Sequence, residues 1–426
     1  MKTTIKTLCG MLAMLAFTAC SSNNDEAVNT PQFWHVTLTA SMGDADTRAL
    51  IPNGNAITAS FAADDVVKVL KSDGSEVGTL TAKTAGASTT LEGNISGTFS
   101  VNEELTCRYR SATANYDNQV GTLEGIGIAT TCKDYAEGTL TVSATDPLTF
   151  TSTNVTLSPK QSITKFSFTD GTNPVSVKTF GIAATGLVQS IATNATETVG
   201  AVTGTLATAS ADVYVALRNN VDGKQTYSFM VQDDAGNWYT GTKKANLVNG
   251  KNYATEVQLT KLPALTSSSD VGTIGVVGGL PAIVINNTTA VALMNAGALC
   301  PEAYGTYYSF ANLPTLSNDW YVPTKDELDE LDALAGISGT WGAPNGVNGC
   351  TFTIGGNTLF LPAAGYRESG SNLLLVSTDG YYWSSTLTDN SNLAFYLDID
   401  NTGTTPLSEY IVNALTVRPF HALPTP

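Results

Sequence analysis

From Phe33 to about Leu259 the chain alternates apolar and polar positions over short stretches, with Gly, Asn and Asp between them. The run Trp34-His35-Val36-Thr37-Leu38-Thr39-Ala40 puts Trp34, Val36, Leu38 and Ala40 on one face, the period of a half-buried strand. Asp65 to Leu70 before the turn Ser72-Asp73-Gly74 repeats the pattern, as do Ser162 to Phe168, Asp212 to Leu217, Tyr227 to Gln232 and Tyr253 to Leu259. Threonine is abundant and long helical periods are absent, so many short strands at roughly 8–12-residue spacing predict antiparallel β-sandwiches. The stretch is generous for one sandwich, and a seam near Asp146 to Ser158 divides it into residues 33–150 and 151–262. The charge-poor segment Leu262-Pro263-Ala264-Leu265-Thr266-Ser267-Ser268-Ser269 then reads as a linker.

Residues 270–426 differ in character. Thr324 with Glu327 three positions on forms a capping box, and Leu328, Leu331, Leu334 and Ala335 make the buried stripe of a helix that Gly336 ends. Around this helix lie aromatic, glycine-rich segments, and the whole chain reads as mainly β.

Composition narrows the function. The chain has 426 residues, enough for two to four domains, but only 14% of them are charged. A net charge of −16 repels phosphate backbones, which excludes nucleic acid as a partner. Histidine occurs only at positions 35 and 421, so His-centred triads and His-rich metal sites lack their raw material. No cofactor is expected, and an enzyme is the weaker reading.

Lys2 and Lys6, the apolar stretch Met11 to Phe17, and small residues running up to Cys20 resemble a bacterial lipoprotein signal. The resemblance implies removal of residues 1–19, acylation of Cys20 and a polar tether over 20–32. It also implies an outer-membrane precursor that touches the membrane only through its lipid. Asp25 and Glu26 resemble an acidic surface-export signal. Cys107, Cys132, Cys300 and Cys350 then remain, and sequence proximity favours the pairs Cys107–Cys132 and Cys300–Cys350, with free buried thiols as the alternative.

The lipoprotein signal, the first strand, Asp46-Thr47-Arg48-Ala49, and Thr-rich strands ending in Asn249-Gly250-Lys251-Asn252-Tyr253 resemble the fimbrillin family of Bacteroides-type pilus subunits. That family implies two transthyretin-like sandwiches over roughly residues 1–260. An arginine-specific protease removes the first strand, and another subunit's strand enters the groove by donor-strand insertion. Carried over, Arg48-Ala49 is the cleaved bond.

Further on, Asn295-Ala296-Gly297-Ala298, Pro301-Glu302-Ala303-Tyr304-Gly305, Trp320-Tyr321-Val322-Pro323-Thr324, Leu361 to Arg367, Tyr382-Trp383-Ser384-Ser385-Thr386 and Val417-Arg418-Pro419 are similar to the major paralogous domain of Fibrobacter proteins. This second resemblance implies a mixed α/β, C-type-lectin-like fold used for display and binding. Trp383 is followed by two serines rather than Asn-Asp, so calcium-dependent sugar binding is unsupported.

Tyr307, Tyr308, Trp341, Asn345 and Tyr381 sit in glycine-rich segments and are the candidate surface for a glycan or host protein. Trp320, Trp383 and Arg418 read as core, and Asp398 with Asp400 as a solvated strand face rather than a metal site. A subunit with a folded domain in place of a C-terminal donor strand can accept a strand but hardly donate one. The expectation is therefore a tip pilin and adhesin. The alternatives are a surface lipoprotein outside any pilus and, more weakly, an enzyme of the formylglycine-generating type acting through Cys300 and Cys350.

Overall fold

The computed structural model describes residues 32–43, 51–53, 56–58, 60–131 and 133–425. Cys20, Arg48, Ala49 and Cys132 lie outside them.

The strand Phe33–Met42 forms as its alternation predicts: Val36, Leu38 and Ala40 are buried and the residues between them are exposed. It pairs antiparallel with Ser88–Ser96 and parallel with Asn154–Pro159. The sheet continues through Glu76–Ala82 and Val66–Leu70 to Glu104–Tyr109, which pairs back onto Ala136–Thr145, itself the neighbour of Asn154–Pro159. Seven strands thereby close into a ring around Val67, Leu80, Leu91, Leu105, Tyr109, Leu140 and Leu157. The first sheet therefore runs to Pro159, past the boundary expected at residue 150, because Val155 and Leu157 alternate inward and complete its core.

Residues 111–131 and 133–135 leave this ring and cover the second core. Ala114–Asn115 pairs with Leu187–Ile191, and Tyr116, Leu123, Ile126 and Tyr135 are buried among second-sheet residues. Arg108, 3% exposed, fastens the junction: its Nε lies 2.6 Å from Glu137 Oε1, and Nη1 donates to the carbonyls of Ala112 and Thr193.

In the second sheet the strand Asn252–Lys261 lies between Ser162–Thr169, to which it is parallel, and Trp238–Ala245, to which it is antiparallel. Phe166, Phe168 and Phe229 pack against one another in this core.

In the C-terminal region a five-stranded sheet has Phe420–Ala422 between Thr289–Ala292 and Trp320–Tyr321. Smaller sheets and the helix Lys325–Ser338 complete it. The capping box forms, with Thr324 N and Oγ1 each donating to Glu327 Oε2 at 2.8 Å, and Leu328 and Leu331 are buried. Helical backbone continues past Gly336 to Ser338. Among the described residues no helix is long and apolar enough to cross a membrane.

The expected linker is instead a packed seam. Leu262 N donates to Trp238 O, Leu265 N donates to Val276 O, and Leu265 is buried. Trp238 donates from Nε1 to Gly279 O at 2.9 Å and shares a core with Ile283, Leu293 and Phe352 of the C-terminal region. Gly181 is required here, since a Cβ would stand 2.5 Å from that of Cys300. Trp238→Ala is expected to lower unfolding free energy by about 3–5 kcal/mol. Denaturant titration checks this, and a separate transition for the C-terminal region is the expected second sign.

Candidate functional site

The first strand is joined to the rest of its sheet by covalent continuity only through the segment containing Arg48. It is a central strand, paired along nearly its whole length with Ser88–Ser96 and over Thr39 to Met42 with Asn154–Pro159, and its inward side chains are enclosed. On the outer face His35 Nε2 lies 2.9 Å from Glu92 Oε1 and Nδ1 lies 3.1 Å from Asn94 Oδ1. Those two contacts, Asn94 first, raise the His35 pKa. Lys83 pairs with the other oxygen of Glu92 at 2.6 Å. Its departure would leave a gap walled by Ser88–Ser96 on one side and Asn154–Pro159 on the other. Backbone donors and acceptors of both walls would lose their partners over an apolar floor.

The five candidate ligand residues do not converge on one surface. Tyr307 is half-buried, its hydroxyl donating to Ala364 O at 2.5 Å, in a cavity of about 310 Å³ that also touches Asp117 and Gln189. Tyr308 pairs with Leu415, and its carbonyl accepts from Trp383 Nε1 at 2.7 Å. Trp341 lines a separate cavity of about 490 Å³ with Asp332, Cys350, Asp400 and Thr404. Asn345 Nδ2 donates to the buried carboxyl of Glu302 at 2.5 Å. Tyr381 is 9% exposed and stacked on Tyr396, which places it in a core rather than on a binding face. Trp320, Trp383 and Arg418 are buried as expected, Arg418 donating to the carbonyls of Ala292 and Phe360.

Cys107, Cys300 and Cys350 are free and buried, so the favoured Cys300–Cys350 bridge is not formed. Cys300 stands against Gly181 at the seam, whereas Cys350 pairs between Trp341 and Leu361 in a sheet. Burial pushes the Cys107 thiol up to about 12 and Cys350 up to about 11, and raises Cys300 as well. These thiols keep their protons at neutral pH, the opposite of what a nucleophilic cysteine needs.

The strand face expected to be solvated is half-buried. Cross-strand pairing, invisible to a reading of one segment, brings Asp379 beside Asp398 and Asp400, with oxygens within 4.8 Å of one another. Burial, then the charges of Asp379 and Asp400, lift the Asp398 carboxyl to about 6, and its Oδ1 has no hydrogen-bond partner. The Glu302–Asn345 pair likewise carried no sequence signal beyond its two polar residues.

No protein-family model and no curated protein matches the chain. Among solved structures it is similar to a candidate cell adhesion protein of Bacteroides ovatus at 15% identity and TM-score 0.31, covering 54% of this chain and 96% of that one. It is also similar to a C-terminally truncated tip fimbrial protein of Porphyromonas gingivalis, at 7% identity and TM-score 0.28, over 54% and 98% of the two chains. A shaft pilin of Lactobacillus rhamnosus follows at 10% identity and TM-score 0.25, over 55% and 100%. Likenesses at these scores assign neither activity nor partner.

Asp398 yields a pH test. Its folded pKa is raised, so it binds a proton more tightly in the folded than in the unfolded chain, and stability falls as pH rises from 3.8 towards 6. Asp398→Asn is expected to flatten that decline, the variant melting higher than wild type at pH 7 and indistinguishably near pH 3.5. Thermal melts across this range check it.

Proposed function

We propose that the chain is a subunit of a cell-surface fimbria, made as a lipoprotein on Cys20 and assembled by strand exchange after cleavage at Arg48-Ala49. The observation that carries this reading is the seating of Phe33–Met42: a central strand whose hydrogen bonds hold it in the sheet but whose only onward link is the segment containing Arg48. One cut there turns a closed ring into an acceptor groove of the kind used in β-augmentation.

The distribution of arginine supports a single cut. Of the six arginines, Arg108 and Arg418 are buried, Arg110 pairs with Asp65, Arg218 with Glu197, and Arg367 donates to Ser371 O. An arginine-specific protease acting on the folded chain thus meets these five inside paired or packed structure.

A terminal position, and with it the tip and adhesin role, is supported by what comes after the second sheet. Asn252–Lys261 is locked between two neighbours, and the chain passes directly into the fused C-terminal region. The motifs of residues 270–426 support a C-type-lectin-like display domain, with Trp341 and its cavity as the contact for a glycan or host protein. The test is the N-terminus of the protein recovered from filaments and from outer membranes by mass spectrometry. Ala49 at the start of the filament form is the expected result, abolished by Arg48→Ala. A lipidated Cys20 with Trp34 retained in every fraction would place the protein on the surface outside any pilus.

A further inference from the structure

We infer that the groove under the first strand selects its incoming strand by side-chain chemistry. It demands a hydrogen-bond donor or cation at the place of His35, aliphatic residues at those of Val36 and Leu38, and nothing larger than alanine at that of Ala40. The inference rests on the strand-exchange reading above and names the partner segment that reading requires.

The outer rim sets the first demand. Glu92 Oε1 and Asn94 Oδ1 both face His35, at 2.9 and 3.1 Å, while Lys83 engages only Glu92 Oε2. A carboxylate at this place would meet the Glu92 charge across the strands, where like charges repel. The floor sets the others. Val36 and Leu38 are 6% and 2% exposed within the apolar core. Ala40 is fully buried, opposite Thr89 on the antiparallel wall and Val155 on the parallel wall, so a larger side chain has no space without displacing a wall.

The second sheet contains a strand of the same kind. Asn252–Lys261 also sits between one parallel and one antiparallel neighbour, and its Val257-Gln258-Leu259-Thr260 matches Val36-Thr37-Leu38-Thr39, with Val257 and Leu259 buried. Aligned on that motif, Glu256 falls at the place of His35 and Lys261 at that of Ala40. The chain's own closing strand thus fails the first groove at both discriminating positions. The occupant is a strand of a different subunit carrying the donor-and-alanine pattern, laid parallel to Asn154–Pro159, and a second copy of this chain is excluded from supplying Asn252–Lys261.

The test uses the full chain cut after Arg48 and exchanged against ten-residue peptides, with retention read by native mass spectrometry and fluorescence anisotropy. Changes are made in the peptide, so a folding defect in the protein cannot mimic them. The Phe33–Met42 sequence and its His35→Arg form are expected to bind alike. The His35→Glu form is expected to bind about two- to fivefold more weakly and to recover on a Glu92→Lys protein. Ala40→Leu is expected to cost roughly 10- to 100-fold, and the Asn252–Lys261 peptide more than either. Equal retention of all five peptides would overturn the inference while leaving strand exchange intact. A cut chain from which no peptide displaces the native strand would overturn both. If the protease leaves Arg48 intact, the cleavage reading alone falls, and a foreign protease site placed within residues 44–50 lets the same peptides decide the selectivity.

Discussion

A sheet closed into a ring has no edges, and each strand in it satisfies the backbone of two others. The first ring of this protein depends on that condition being met by its least firmly tethered member. Phe33–Met42 lines up with Ser88–Ser96 over nine residues and with Asn154–Pro159 over four, and it covers Leu91, Val155 and Leu157 from one side. An unoccupied gap would strand the backbone groups of both walls and wet the core beneath them, which costs more than any exposed ion pair on the rim returns. The ring therefore needs a strand in this place at all times.

Arginine plays a second structural part here, beyond the expected cleavage point. Arg108 gathers carbonyls from residues 112, 192 and 193 where the first ring meets the second sheet, and Arg418 ties Ala292 to Phe360 inside the C-terminal region. In a chain so poor in charge, a planar cation with five donors satisfies carbonyls that loops leave unpaired between layers. Threonine and serine do the same on a smaller scale, as where Thr203 meets Asp117 through both N and Oγ1.

The sequence discloses those features whose physics is local. Period-two alternation located the first strand to its buried residues, and the Thr324–Glu327 box located a helix start atom by atom. What stayed hidden depends on pairing between distant segments. Asn154–Pro159 looks like the opening of the second sandwich until its parallel partner is known. Leu262 to Ser269 reads as a linker because Leu265 is apolar for a core of Val277, Ala282 and Trp320 that only the fold supplies. Tyr381 resembles a loop aromatic and is instead stacked on Tyr396, and Asp379 joins Asp398 and Asp400 only because their strands are adjacent. Cys300 and Cys350 are buried in the same core yet at different places in it, Cys300 against Gly181 and Cys350 in a strand between Trp341 and Leu361, so proximity along the chain misjudged them as a pair.

The seam at Trp238 carries a consequence for force. Because the second sheet and the C-terminal region share one core, with Gly181 pressed against Cys300 and Trp238 bonded to Gly279, tension applied at the far end has no swivel in which to dissipate. Load on the C-terminal region therefore enters the second sheet across packed side chains, and Arg108 is one of the links from that sheet to the ring. The ring's first strand lies along its neighbours with hydrogen bonds running crosswise, so an axial pull loads the whole ladder in shear rather than opening it bond by bond.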